Sequence, residues 1–390
     1  MTPLILALNV GSSSVKMAVF EDAPDQPLRV KGQVSGLQTQ PRFALSAQGS
    51  DGAISRTLPA HTDGTEALEQ LFDELAKMDL LERISLVGHR IVHGGADFIG
   101  PTLLDEEAMR SLHQLTSLAP LHQPFNLAAV DAAVRRLPDA RQIGCFDTGF
   151  HATQPRIARL YALPRHLSDE GLISYGFHGL SYDHVASVLE QRGSARRTIV
   201  AHLGSGASLC AMQGGRSLAT TMGFSPLDGI PMASRCGAID PGLILHLLKQ
   251  RKMTADAVSE LLYEKSGLLG VSGVSGDMQI LLDSADPFSR EAVDLFVYRI
   301  AREIGALAAT LRGLDTLVFT AGIGENSPEI RDRICEATAW LGVALDPKAN
   351  STGRTVISDP NSSVDVLVIP TDEQKIIAKN VQTWRDNLDG

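Results

Sequence analysis

Three glycine-rich turns stand out in the 390-residue sequence: NVGSSSVK at 9–16, HLGSGAS at 202–208 and AGIGENS at 321–327. Each follows an apolar run that reads as a strand. Glycine lets a backbone approach a ligand closely, free N–H groups in such a turn point at anionic oxygens, and a helix N-terminus adds a favourable dipole. The chemistry they suit is phosphate binding. A single turn of this kind is equally a hairpin or a helix entry, and none matches G-x-x-x-x-G-K-[ST] or a full G-x-G-x-x-G before a helix. Three in one chain, two of them half a sequence apart, favour a nucleotide.

The first turn carries more than glycine. Asn9 sits in an apolar strand, Ser12, Ser13 and Ser14 follow, and Lys16 falls by alternation on the face opposite Val15 and Met17. A lysine is a compact charge suited to a phosphate oxygen, and it is also an ordinary surface residue of a hairpin. Arg90 lies inside LVGHRIVHGG and Arg235 inside PMASRCGAIDPG. A buried guanidinium without a partner is costly, so each has an internal carboxylate or an anionic ligand. Asp147, near the end of QIGCFDTGF, reads either as a functional carboxylate or as a cap or turn residue. His89 and His93 are spaced like zinc ligands, but the glutamate of H-E-x-x-H is missing and the residues between them read as strand, which excludes zinc. His178 and His202 are neutral-pH donors beside loops. His151 and His184 read as structural groups.

Holding such residues takes strands that end in turns. LILALNV and VKMAVF read as strands around GSSS, and RTIVAHLGSGASLCAM repeats that pattern. Aligning Ser14 with Ser208 gives an offset of 194, close to half the chain, which hints at duplication. The leucine spacing over 65–84 predicts an amphipathic helix, EEAMRSLHQL and NLAAVDAAVRRL predict two more, and a long one is expected over 289–311. Residues 214–242 read as a glycine-rich loop, and GIGEN as a turn before a helix opening at Ser327–Pro328. Strands alternating with helices predict an α/β protein.

Composition narrows the function. The length exceeds one ordinary core, so about two domains are expected. With 44% hydrophobic and 21% charged residues the chain is globular. A formal charge of -10 repels nucleic acid and anionic lipid. No apolar run reaches bilayer length and the opening residues lack a secretory signal pattern, so no membrane partner and a cytoplasmic location are expected. Cys145, Cys210, Cys236 and Cys335 are far apart, which argues against disulfides and thiolate metal sites.

Ten segments in order resemble the acetokinase family: LNVGSSSVK, GHRIVHGG, LAPLHQPFNL, FDTGFHATQP, YGFHGLS, HLGSGAS, TTMGFSPLDGIPMASRCGAIDPG, SGLLGVSG, FTAGIGENSPEIR and VIPTDE. The resemblance implies two duplicated α/β domains of the actin, sugar-kinase and chaperone-ATPase fold with a central nucleotide cleft. It implies a domain over 1–148, completed by a C-terminal helix over 374–390, and a nucleotide-binding domain over 149–373. Carried over by residue, it puts Asn9 and Glu373 at a magnesium ion, for which manganese can substitute, and Lys16, Ser12 and Ser14 at the phosphates. His202, Leu203, Gly204, Ser205 and Gly206, then Asp277, Met278 and Gln279, then Gly322, Ile323, Gly324, Glu325 and Asn326 would hold ATP or ADP. Arg90 would bind the carboxylate, with Val92, Leu121, Phe177 and Pro226 around its methyl group. Asp147 would be the active-site acid, with His178 and Arg235 stabilising the transition state. A homodimer is implied as well. The sequence departs from the family pattern at Ser205, Gly276 and Gln279, at Ala321 in place of a glycine, and at Cys236-Gly-Ala.

The reaction implied is phosphoryl transfer from ATP to a short carboxylate, which asks mainly for positioning and positive charge. A carboxylate with a pKa of roughly 4 is already ionised, so the expected task of Asp147 is to orient an arginine or metal-bound water. Acetate is the expected acid, with propionate or butyrate as the alternative because one methylene is worth only about 1–3 kcal/mol. A chaperone-like nucleotide-gated module lacks a partner-binding domain here, and a neutral sugar has no use for the charge of Arg90.

Overall fold

The run Leu4–Val10 forms strand β1, buried at all seven positions, as expected of a strand covered on both faces. In the computed structural model, which describes residues 2–389 apart from Gln38, Ser50, Asp51, Leu121 and Ala195, β1 pairs antiparallel with β2 (Ser14–Glu21). The sheet continues through β3 (Leu28–Ser35), β4 (Arg42–Ala47) and β5 (Ile54–Thr57) on one side. On the other side stand β6 (Ile84–Ile91), then β8 (Arg141–Phe146), with the short β7 (Thr102–Leu103) at its edge. A second sheet has the order β11-β10-β9-β12-β13, from β9 (Arg197–Leu203), β10 (Ala207–Gln213), β11 (Arg216–Thr220), β12 (Thr316–Thr320) and β13 (Asp365–Val368).

The same five-strand unit occurs twice. Strands β3, β2 and β1 are antiparallel and β1, β6 and β8 parallel; β11, β10 and β9 are antiparallel and β9, β12 and β13 parallel. Asn9 pairs with Lys16 in the first hairpin and His202 with Ser208 in the second, so His202 takes the place of Asn9 and Ser208 that of Lys16. The match of Ser14 to Ser208 is therefore two positions out, partly because the second turn is one residue shorter.

The chain divides into two compact units. One comprises the chain up to Phe150, Gly179–His184 and everything from Asp372 on; the other comprises His151–His178 and Val185–Thr371. In the first, alternation sorts β1 cleanly: Leu4, Leu6, Leu8 and Val10 face helices α1 (Gly64–Lys77) and α3 (Gln123–Arg136), α2 being Glu106–Gln114, while Ile5 and Ala7 face the C-terminal helix. Helix α4 (Gly179–Gln191) begins in this unit and ends in the other. The second unit holds α5 (Pro241–Lys249), the 25-residue α6 (Pro287–Leu311), α7 (Ala321–Asn326) and α8 (Pro328–Ala337). The C-terminal helix, α9 (Glu373–Asp389), sets Ile376, Ile377 and Val381 on the Ile5 face of the first sheet. A Cβ at Gly88 would lie 2.5 Å from Ile377 Cγ2, so the helix sits this close only because β6 has glycine there.

Three elements differ from expectation. Helix α1 opens with the Asp63–Glu66 capping box but stops at Lys77, because Asp79 turns left-handed at φ 55 and a 3-10 turn leads into β6. Part of the loop expected over 214–242 is strand β11, paired to β10. The GIGEN turn is the short helix α7. No helix among the described residues is long and apolar enough to cross a membrane.

Candidate active site

The face of the first sheet covered by α9 carries Asn9 near the end of β1, Arg90 in β6 and Asp147 just past β8, all beside Glu373 at the start of α9. Asn9 Nδ2 donates to Glu373 Oε2 at 2.5 Å, and Asn9 Oδ1 accepts from Arg90 Nη1 at 3.1 Å. Arg90 grips Asp147 as a fork: Nη2 donates to Oδ2 at 2.6 Å, and Nε lies 3.1 and 3.2 Å from the two carboxylate oxygens. Of the five guanidinium N–H groups, two are not used by these contacts. Asp147 is 1% exposed, and the Leu180 N–H at the start of α4 adds a further hydrogen bond to its carboxylate. Gly179 is required there, since a Cβ would stand 2.0 Å from the Asp147 carbonyl oxygen.

Burial pushes the Asp147 carboxyl upward against the pull of Arg90, and the charge of Glu373 adds to the rise. Burial would also lower the Arg90 pKa, but Asp147 and Glu373 more than reverse this. These two directions oppose each other on the question of charge. The second decides it, since guanidinium does not give up its proton in proteins and the fork geometry favours an ionised partner. Lys16 is exposed and shares the face of Asn9, its cross-strand neighbour. Ser14 closes the turn by accepting from Gly11 N–H at 2.9 Å through its carbonyl, and Ser12 is half-buried.

In the second unit, a pocket of about 260 Å³ brings together Gly204, Ser205, Asp277, Gln279, Gly322 and Asn326, with Met278 and Ile323 also in its wall. Of the other residues expected to hold nucleotide, Leu203 is a buried strand residue and Gly324 packs under Phe319. Glu325 is a staple: its Oε1 accepts from the Ala321 N–H and the Thr371 N–H, each at 2.9 Å, and from the Thr371 hydroxyl at 3.1 Å. Two of the departures have structural consequences. Gly276 lies so close to Ala233 that a Cβ would meet its carbonyl oxygen at 2.8 Å. Ala321 holds φ 65, where a glycine would be unstrained.

Beside that pocket, the ring of His202 stacks on His178 with centroids 4.2 Å apart, and His178 Nδ1 lies 2.8 Å from the Ser208 hydroxyl. His178 itself sits in the left-handed region at φ 59. A Cβ at Gly206 would be 3.3 Å from His178 Nε2 and 3.8 Å from Arg235 Nη1, so histidine and arginine flank the same bare glycine. Arg235 Nη1 donates to the Pro226 carbonyl at 3.1 Å. Phe177 and Pro226 are buried in this unit, and Val92 is buried in the other. Leu121 lies outside the described residues.

His151, read from the sequence as a structural group, is held on both ring nitrogens. It is fully buried, its Nε2–H donates to the Phe177 carbonyl at 2.9 Å, and its Nδ1 accepts from the Ser217 hydroxyl at 2.9 Å. Burial lowers its pKa to about 4, so the ring is neutral and this tautomer is set by its neighbours. It anchors the peptide that leads into strained His178.

A duplicated five-strand sheet unit, with Asn9, Arg90, Asp147 and Glu373 gathered in one copy's unit and His178, His202 and Arg235 in the other's, is the architecture of the actin and sugar-kinase fold. The sequence matches the acetokinase family over residues 4–379, and the chain belongs to that family. It is 49% identical to an acetate kinase of Rhodopseudomonas palustris over 99% of this chain and 98% of the relative. In structure it is similar to a propionate kinase from Francisella tularensis, 33% identical with a TM-score of 0.90, covering 98% of this chain and 99% of that one. It is also similar to Porphyromonas gingivalis acetate kinase, 36% identical with a TM-score of 0.85 and the same coverage.

Proposed function

We propose that the protein is an acetate kinase, moving the γ-phosphoryl group of ATP reversibly to acetate to give acetyl phosphate and ADP. The observation that carries this reading is Arg90: a guanidinium fixed in a sheet face by a buried carboxylate, with N–H groups left over for a second one. A bidentate fork sets a carboxylate oxygen in line for attack. In this reading Asp147 aims Arg90 and takes no proton, since the acceptor is already an anion.

The nucleotide is held on the second unit by Gly204–Ser205, Asp277–Gln279 and the Gly322–Asn326 helix, with Lys16 assigned to its phosphates. Arg235 and His178, on either side of Gly206, supply positive charge and a hydrogen bond to the transferring phosphoryl group. The oxygens of Asn9 and Glu373 would hold a hard divalent cation, because the carboxylates of Glu373 and Asp147 against the one guanidinium of Arg90 leave net negative charge beside oxygen donors. Such an ion would be Mg²⁺, or Mn²⁺ in its place, with its remaining positions left to phosphate oxygens and water. When bound, that ion neutralises phosphate charge. Val92, Leu121, Phe177 and Pro226 are assigned to the methyl group by family pattern alone.

A homodimer belongs to the same reading. It is supported by α5, an apolar helix with no buried residue and with Leu243 and Leu245 48% and 52% exposed; sedimentation should return twice the 41.7 kDa chain mass, and a monomer would refute it. The test of activity is a panel of acetate, propionate, butyrate and glucose with ATP and Mg²⁺, trapping acyl phosphate with hydroxylamine. Acetate should lead. Arg235→Ala should lower turnover on the order of 10³ to 10⁵, by analogy with arginine fingers, and an unchanged rate would remove its assigned role. A lead for propionate would move the reading to the alternative acid.

A further inference from the structure

The segment LAPLHQPFNL has so far contributed only Leu121, yet it opens α3 against the part of the sheet on which the proposed activity rests. The paired backbones of β1 and β6 run from Leu4 beside Ile84 to Leu8 beside His89. The ladder ends there, one residue short of Asn9 and Arg90, which are joined instead through their side chains. Strand ends that part like this open a site, but they also forfeit the regular hydrogen bonds that hold neighbouring strands in register.

Asn126, 2% exposed on α3, restores the missing rung. Its Oδ1 accepts from the Val92 N–H at 2.9 Å, and its Nδ2 donates to the Val10 carbonyl at 2.6 Å. Val10 follows Asn9 directly and Val92 stands two residues past Arg90, so one side-chain amide ties both strands just beyond their working residues. Gln123, three residues earlier and fully buried, serves the next peptide. Its Oε1 accepts from the His93 N–H at 3.2 Å, and its Nε2 donates to the His93 carbonyl at 3.0 Å and reaches the Leu112 carbonyl at 3.4 Å. Residues three apart share a helix face, so α3 presents two amides to one stretch of backbone. An amide can do this because it carries donor and acceptor together; a carboxylate or an alkyl group of the same size leaves one or both buried peptide groups unmet.

We propose that Asn126, seconded by Gln123, is a positioning residue: it fixes the parting ends of β1 and β6 so that Arg90 keeps the setting in which it receives a carboxylate. It does not touch the substrate. The inference rests on the activity proposed above, and it differs from a purely structural role in predicting a selective effect.

The test compares the unchanged full chain with Asn126→Ala, which loses both bonds, and Asn126→Asp, which keeps the acceptor for Val92 and loses the donor to Val10; Gln123→Ala serves if neither folds. For each folded variant, the KM for acetate, the KM for ATP and the rise in Tm caused by acetate without nucleotide are measured. The acetate KM should rise at least about tenfold and the acetate-induced rise in Tm should shrink, while the KM for ATP stays within twofold. An acetate KM and a thermal response within twofold of the unchanged chain would overturn the proposal. So would parallel loss in both substrates, or a fall in kcat alone. Failure of the unchanged chain to use acetate would overturn the activity and this inference together, whereas indifferent variants of an active chain overturn the positioning role alone.

Discussion

At the scale of single residues, the decisive pair is Arg90 with Asp147. The sequence placed a guanidinium in a strand and a carboxylate at the end of another, and the choice between internal partner and external ligand stayed open because it depends on which strands become neighbours. Strands β6 and β8 are neighbours, with Arg90 opposite Cys145 and Asp147 two residues on. The arginine has its partner and still has hydrogens to spare. Asp147→Asn keeps the shape but weakens the fork, so the acetate KM should rise about tenfold, which corresponds to about 1.4 kcal/mol. If Asp147 were instead a base, kcat would collapse with acetate KM unchanged, and steady-state kinetics on both substrates separates the two outcomes.

At the scale of elements, what was legible was the punctuation. The first two glycine turns, each closing a hairpin, and Pro328 in the first turn of α8 follow from local chemistry, and the structure has them. What was not legible was anything fixed by pairing across the chain: β11 inside a glycine-rich stretch, the early end of α1, and the registration of the repeat, where Ser208 answers to Lys16 and not to Ser14. Glu325 illustrates the same limit. Its place in GIGEN gives no sign that its Oε1 accepts from Ala321 and from Thr371, a partner 46 residues away. The strained Ala321 beside it supplies a prediction at this scale. A left-handed alanine costs about 1–2 kcal/mol, part of which glycine returns as unfolded-chain entropy. Ala321→Gly should therefore raise stability by about 1 kcal/mol in urea unfolding, and a lowered midpoint would contradict the strain.

At the scale of the whole molecule, duplication explains why chemistry is divided. Two copies of one five-strand unit end in hairpin turns, and the copies have diverged so that Asn9 and Lys16 in one correspond to His202 and Ser208 in the other. The first copy gathers carboxylates and Arg90; the second gathers small loops, histidines and Arg235. Stability also has a molecule-wide signature. Burial lowers the pKa of His89, His93 and His151 to about 4 each, while an unfolded histidine takes up its proton near pH 6.5. Depressed histidines favour the native state fully above pH 6.5, and that contribution is lost as pH falls from 6.5 toward 4, by up to about 3 kcal/mol per residue. Denaturant midpoints should decline through that window with a slope approaching three protons; a flat profile would mean that these rings are not held neutral.

The central claim is that the terminal phosphorus of ATP ends on the oxygen of a small carboxylate. Phosphorus-31 NMR of the purified protein with ATP, Mg²⁺ and acetate follows that atom. The account predicts loss of the γ-phosphate signal matched by an acetyl phosphate signal, dependent on acetate and reversed when ADP and acetyl phosphate are supplied instead. Inorganic phosphate as the sole product, at a rate indifferent to acetate, would contradict it.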